Sequence, residues 1–357
     1  MGSGRRLRVA LVFGGRSEEH EISLLSARAV AGALEAAGHG VVPVGISKGG
    51  VWLDTPRSRA ALTSATEALV TAEETSLALS LQKALAVLGE TDIAFPLVHG
   101  RTGEDGVLQG VFEMIDLPYV GCDVLGSALG MDKWAQKLLL RAAGLPTAVF
   151  LPVEHYRWRH EAEAVQAEAR GRLGYPLFVK PARGGSSVGV TKAHDLEGLT
   201  LGLEEAFRLD SVALLEEAVD GREIECSVLG NHEPQASLPG EIIASRDFYD
   251  YEAKYHDFAT RLVAPVSLPA PQMEQVQRLA VAAFKAIQGA GMARVDFFLR
   301  PTGEFCINEL NTIPGFTAVS MYPKLWEASG IAFPALVDRL LSLALERHAE
   351  RHGRLAS

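Results

Sequence analysis

The chain has 357 residues, 48% of them hydrophobic and 22% charged, which is enough for two or three ordinary domains and for burial of about three quarters of the unfolded surface. A formal charge of −10 excludes a general nucleic-acid binder, and no apolar run approaches the ~20 residues of a membrane helix, so a cytoplasmic protein without a membrane partner is expected. Three scattered cysteines, Cys122, Cys226 and Cys306, suit reduced core thiols and exclude a disulfide framework.

The N-terminal stretch runs into Gly14 and Gly15 instead of a small-residue cleavage site, so residues 7–13 read as a strand and not as a leader. A helix from about Ser23 to Ala37, a strand over 41–46, a helix near 66–88 and a strand over 92–98 follow. This β-α-β alternation with near-continuous apolar strands predicts a parallel sheet covered on both faces. A second unit opens with an amphipathic helix after Met131-Asp132-Lys133, closed by Gly144 and Pro146. It continues through a helix over 161–172, the strand 176–180, a glycine-rich turn and the strand 212–217. Asp220-Gly221 marks a boundary. The third unit begins with EIECSVLG, whose alternation predicts a half-buried strand. A polar, aromatic loop over 247–258, a helix over 271–289, two strands and a packing helix over 334–348 complete it.

The sharpest chemical signal is YPLFVKPARGGSSVGV. A strand delivers Lys180, and Gly184-Gly185-Ser186-Ser187 then offers backbone and hydroxyl donors to phosphate oxygens. The same string also reads as a plain hairpin turn, and it is not a Walker A loop, which has GxxxxGK[ST] before a helix. In ARVDFFL and EFCINELNTIPGFT, Asp296, Glu309 and Asn311 place three hard oxygen ligands on adjacent strands, a set suited to Mg²⁺ beside phosphates; the other reading is a polar rim on a solvated sheet. Arg294 shares the face of Asp296, where it would stabilise a developing oxyanion or simply neutralise that acid. In VFGGRSEEHEISLLSA, a strand, a Gly-Gly turn and a helix start suit a small carboxylate, with Glu19 positioned for an ammonium; a tight turn alone is the alternative. His99 ends a strand beside a glycine loop, as a ligand contact or as a structural histidine. Tyr249, Tyr251 and Tyr255 could cover a site while Lys254 reaches inward, or the loop is a solvated surface.

In combination and order, these strings, together with HGRTGEDGVLQG, SALGMDK and DFYDYEAKY, resemble the ATP-grasp superfamily and, within it, the D-alanine–D-alanine ligases, over nearly the whole chain. The resemblance implies a three-domain ATP-grasp fold: an N-terminal α/β substrate domain (1–130), a central domain (131–220) and a C-terminal catalytic domain (221–357). It implies ATP-dependent joining of two D-alanines through a D-alanyl phosphate. Lys133, Lys180 and Ser187 would contact nucleotide phosphates, Glu216 and the linker after it the adenine, and Glu223 the ribose. Asp296, Glu309 and Asn311 would hold two Mg²⁺ ions, or Mn²⁺, with a monovalent cation as a further ion. Glu19 would orient the first ammonium in a network with Ser186 and Tyr255. His99 would sit by the first carboxyl group, Lys254 by the transferred phosphate, Arg294 and the Gly315 N–H by the oxyanion, and Ser320 by the second carboxylate. Tyr255 favours an amine nucleophile over D-lactate, and a homodimer is implied. The segment 155–174 matches no functional motif, and Gly184 or Gly185 stands where the family's phosphate loop often carries a charged residue. The competing functions are ligation of another carboxylate-amine pair, including D-alanine with D-lactate or D-serine, and a nucleotide-binding regulatory module without turnover.

Overall fold

The computed structural model of the chain describes residues 6–63, 76–243 and 260–355. The first sheet has strand order β2-β1-β3 and is parallel: β1 (Arg8–Gly14), β2 (Gly40–Ile46) and β3 (Ile93–Pro96). The helix α1 (His20–Ala36) makes the crossover between β1 and β2, and α2 (Thr55–Thr63) and α3 (Leu77–Leu88) lie between β2 and β3. Part of the helix expected over 66–88 falls outside the described residues. The expected helix start at Ser23 is wrong by a turn, and the reason is chemical. Ser23 is fully buried, its hydroxyl accepts from the Gly14 N–H at 2.7 Å and donates to the Leu97 carbonyl at 2.6 Å, so it ties the ends of neighbouring strands together. Gly14 has φ +91°, and a Cβ there would lie 2.1 Å from the Ile46 carbonyl oxygen, so only glycine closes this turn.

Three short helices, α4 (Val107–Met114), α5 (Val124–Met131) and α6 (Lys133–Ala142), lead to the second sheet; the sequence-based expectation lacked the first two and held the third. Its strands are β4 (Phe150–Glu154), β5 (Leu177–Pro181), β6 (Thr191–Ala193) and β7 (Val212–Glu217), antiparallel in the order β4-β7-β5-β6. Helices α7 (His155–Arg172) and α8 (Leu196–Leu209) cover it through Val165, Ala169, Leu199 and Leu203. The helix expected over 161–172 starts earlier, at His155, with a break at Glu161, where φ is −135°.

The third sheet is antiparallel and holds β8 (Arg222–Gly230), β9 (Gln235–Ala236), β10 (Gly240–Ile243), β11 (Arg261–Val263), β12 (Gly291–Leu299) and β13 (Phe305–Asn311), with α9 (Ala270–Ala286) between β11 and β12. β8 is not half-buried as its alternation suggested. From Ile224 onward it is buried on both faces, because Glu225 turns to an arginine and Ser227 to backbone, while Ile224, Cys226 and Val228 pack under α9. The three cysteines are free and buried, as expected. After β13 come α10 (Met321–Ala328) and α11 (Phe333–Leu355). The apolar stripe of α11, including Leu336, Leu340 and Leu341, packs with Phe316 and Tyr322 into the core of the first sheet, so the chain's two ends share one hydrophobic core. No single helix among the described residues is long and apolar enough to cross a membrane.

Candidate active site

A cavity of about 880 Å³ opens between the second and third sheets and reaches the carboxyl ends of the first. Pockets that bind drug-sized or cofactor-sized molecules run to roughly 1,000 Å³, so it has room for a nucleotide triphosphate and small substrates. Glu19, His99, Lys133, Lys180, Ser186, Ser187, Glu216, Glu223, Arg294, Asp296, Glu309, Asn311, Gly315 and Ser320 all line it. Lys254 and Tyr255, with the rest of the loop 247–258, lie outside the described residues.

One wall is set by strand register. Asp296 stands opposite Glu309 and Arg294 opposite Asn311 across β12 and β13, so the period-two alternation of both strands puts all four on one face. Arg294 grips Asp296 with two bonds of 2.7 Å and reaches Glu225 at 3.1 Å; Asn311 lies 2.9 Å from Asp296. Burial alone would lower the arginine's pKa, but Asp296 and Glu225 outweigh it and hold the guanidinium firmly charged. The wall is therefore a set of oxygen donors with a fixed cation beside it, and a solvated polar rim does not describe it. A register shift after Asp296 leaves Asn308 as the extra residue of a bulge, and its carbonyl accepts from Lys137 Nζ at 3.0 Å.

The opposite wall carries the lysines. Lys133 is the first residue of α6, which Asp132 caps; it donates to the Gly184 carbonyl at 2.7 Å and meets Glu309 Oε2 at 3.1 Å. Burial opposes its charge, and Glu309 overcomes that opposition and raises its pKa. Lys180 lies on β5 and pairs with Glu216 Oε1 at 2.8 Å; its burial lowers its pKa even so. Glu216 points at Lys180 and at Lys137, 3.3 Å away, and the two ammonium groups outweigh its burial and lower its pKa. Phe178, Val190, Leu262 and Phe298 add apolar lining beside the linker 217–221, a setting for a flat ring.

The floor lies at the end of the first sheet. Ser186 donates to Glu19 Oε1, and its turn closes through Ser186 and Ser187, with φ of 49° and 58°. The left-handed residues at this point of the loop are thus Ser186 and Ser187 and not Gly184 or Gly185, while Gly189 is left-handed further on. Gly185 matters for another reason: a Cβ there would lie 2.9 Å from Glu19 Oε2 and would displace that carboxylate. Gly315 faces Ser320, whose hydroxyl accepts from the Thr317 N–H at 3.0 Å at the start of α10.

Sequence reasoning missed three buried residues of the site. Glu104 lines the floor near Glu19 and His99 and accepts from the Gly100 N–H at 2.6 Å; burial, with Glu19 beside it, pushes its carboxyl up to about 8. Its signal was its place in the same glycine loop as His99. Glu225 buttresses Arg294, and Lys137, fully buried, braces Glu216. Lys137 was legible as the residue one helical turn after Lys133.

Comparison with known proteins finds matches along most of the chain. The family profile described as D-ala D-ala ligase N-terminus matches residues 8–122, and that described as D-ala D-ala ligase C-terminus matches residues 139–342. The D-alanine–D-alanine ligase of Geobacillus thermodenitrificans is 44% identical over 97% of both chains, and that of Halothermothrix orenii is 46% identical over 96% of this chain and 99% of its own. Among solved structures, the D-alanine–D-alanine ligase of Coxiella burnetii superposes with a TM-score of 0.81 at 35% identity, covering 99% of this chain and 98% of its own. The VanG D-Ala:D-Ser ligase of Enterococcus faecalis gives 0.81 at 35% identity, over 95% and 100%.

Proposed function

The chain belongs to the D-alanine–D-alanine ligase family of ATP-grasp enzymes, and from that membership we propose how its cavity performs the family's ATP-dependent ligation of two D-alanines for peptidoglycan synthesis. The observation that carries the reading is the convergence of Lys133, Lys180 and Arg294 with Asp296, Glu309 and Asn311 on one cavity whose floor holds Glu19 and Ser186.

ATP lies between the second and third sheets. Its adenine rests on the linker 217–221 near Glu216, its ribose meets Glu223, and its phosphates meet Lys133, Lys180 and Ser187. Asp296, Glu309 and Asn311, an oxygen-only donor set, fit two Mg²⁺ or Mn²⁺ ions, which neutralise phosphate charge when bound. Glu19, with Ser186 and Tyr255, orients the ammonium of the first D-alanine, and His99 faces its carboxyl group.

The first substrate's carboxylate oxygen bonds to the γ-phosphorus as the β–γ bond breaks, giving D-alanyl phosphate and ADP. Activation is needed because a carboxylate has no leaving group for an amine to displace, whereas an acyl phosphate has one. The amine of the second D-alanine, held through its carboxylate by Ser320, then bonds to the acyl carbon. Arg294 and the Gly315 N–H meet the oxyanion, and phosphate departs. Lys254 attends the transferred phosphate. Three domains, 1–130, 131–220 and 221–357, a monovalent-cation site, a homodimer and a cytoplasmic setting complete the proposal; one sheet in each segment supports the division. The buried Arg294 beside an acidic donor set favours turnover over a regulatory module, which needs no oxyanion stabiliser. ADP release with D-alanine, L-alanine, D-serine and D-lactate as parallel second substrates tests it: D-alanine is expected to give the highest rate, and faster release with D-serine or D-lactate near neutral pH overturns the choice of nucleophile.

A further inference from the structure

Asp116, His348 and His352 form a second cluster of metal-ligating side chains, and none of them lines the cavity. The two histidines lie four residues apart near the end of α11, so they share one helix face, with ring centroids 4.3 Å apart. The two carboxylate oxygens of Asp116 are divided between them: Oδ1 lies 3.2 Å from His348 Nε2, and Oδ2 lies 3.0 Å from His352 Nε2. The His352 ring is oriented from behind, since its Nδ1 is 3.0 Å from the His348 carbonyl. An Nδ1–H donating to that carbonyl leaves the Nε2 lone pair aimed at the carboxylate, the outer-shell arrangement that fixes a metal-binding imidazole.

Asp116 is held just as firmly. It sits at φ 58° in the turn that ends α4, its N–H donates to the Glu113 carbonyl, and Glu113 pairs with Arg351 of α11 and accepts from the Tyr119 hydroxyl. Arg351 is thereby engaged by another acid. Two donor atoms about 2.0–2.1 Å from a tetrahedral zinc ion stand about 3.3 Å apart, close to the nitrogen-oxygen spacings here. Two imidazoles with one carboxylate suit zinc and its transition-metal neighbours and not Mg²⁺.

We propose that Asp116, His348 and His352 bind a divalent transition-metal ion, Zn²⁺ as the probe, which fastens the end of α11 to the turn after α4. The partial exposure of the cluster leaves a coordination position for water. The site would tie the C-terminal helix to the N-terminal segment whose core it already shares.

The test titrates Zn²⁺ calorimetrically into the full chain, with Mg²⁺ in excess to occupy oxygen-only sites, and follows melting temperature in parallel. The unaltered chain is expected to take up one equivalent that the His348→Ala/His352→Ala variant lacks, and to gain a Zn²⁺-dependent rise in Tm that the variant lacks. His352→Ala alone should weaken that equivalent at least the about tenfold that loss of an outer-shell partner costs. His232→Ala, which removes another exposed histidine paired with Glu350, should leave both responses intact. Equal Zn²⁺ uptake and an equal melting response in the unaltered chain and the double variant overturn the proposal.

Discussion

Lys180 Nζ lies 2.8 Å from Glu216 Oε1, and both side chains are buried in the wall of the cavity. The same oxygen faces a second ammonium, Lys137, at 3.3 Å, so one carboxylate serves two lysines. The local excess of positive charge sits away from water, where a phosphate would stabilise it more than a solvated lysine pair could. The pair thus links the packing of α6 against β13 to the electrostatics of nucleotide binding.

Lys137→Met keeps the bulk of the side chain and removes one of those cations. It leaves the Asn308 bulge carbonyl without its lysine and Glu216 with Lys180 alone. We expect a loss of about 3 kcal/mol in urea unfolding, the lower end for a broken buried pair because one partner remains. A change below about 0.5 kcal/mol would show that Lys137 does not brace the site.

Glu309→Gln removes a charge from the donor set while its amide oxygen can still accept from Lys133. Ligation should fall at least about 100-fold, the scale of losing one stabilising group at a reacting centre, with the fold intact by circular dichroism. Turnover within a few-fold of the unaltered chain removes the metal assignment.

Glu104 implies a pH dependence of stability whose sign follows from its raised carboxyl. Its folded-state carboxyl is raised to about 8, first by burial and then by Glu19, from the ordinary 4.5. The folded chain therefore holds a proton that the unfolded chain has released between those values, and the stability this contributes declines as pH rises from about 4.5 through about 8. Glu104→Gln should flatten that decline in urea melts of the ligand-free chain from pH 5 to 8.5; identical slopes in the two chains contradict it.

Gly185→Ala places a methyl group 2.9 Å from Glu19 Oε2, beside the Ser186 hydroxyl that donates to the same carboxylate. Steady-state kinetics should show KM for D-alanine rising about tenfold, and stability should change by no more than about 0.5 kcal/mol because the cavity leaves the carboxylate room to move. An unchanged KM would detach Glu19 from substrate orientation.

The strand-borne part of the site was legible in the sequence because a strand's alternation is a geometric rule: Arg294 and Asp296 share one face, and Glu309 and Asn311 another, by spacing alone, and the pairing register of β12 with β13 then brings the two pairs together. The position of Lys180 before a glycine-rich turn was legible for the same reason, as strand then loop. What spacing does not encode is partner choice across units. Glu216 reads as the end of an apolar strand, and only the docking of α6 brings Lys137 to it. Ser23 reads as the start of a helix, yet it lies inside α1, and its hydroxyl closes a gap between β1 and β3 that exists only after the sheet forms. β8 alternates like a surface strand, but Arg294 on its neighbour neutralises Glu225 and lets both faces be buried. Glu104 passed unremarked because its raised pKa arises first from burial, which exists only in the folded chain, and then from Glu19, most of a sheet away in sequence.

The transfer of oxygen tests the account most directly. D-alanine labelled with oxygen-18 in its carboxyl group, incubated with the chain, ATP and Mg²⁺, should yield inorganic phosphate carrying one labelled oxygen for each dipeptide formed, because the acid's own oxygen bonds to the γ-phosphorus and leaves with it. Dipeptide formed alongside unlabelled phosphate would mean that the carboxylate is never phosphorylated, and would contradict the assignment of this cavity.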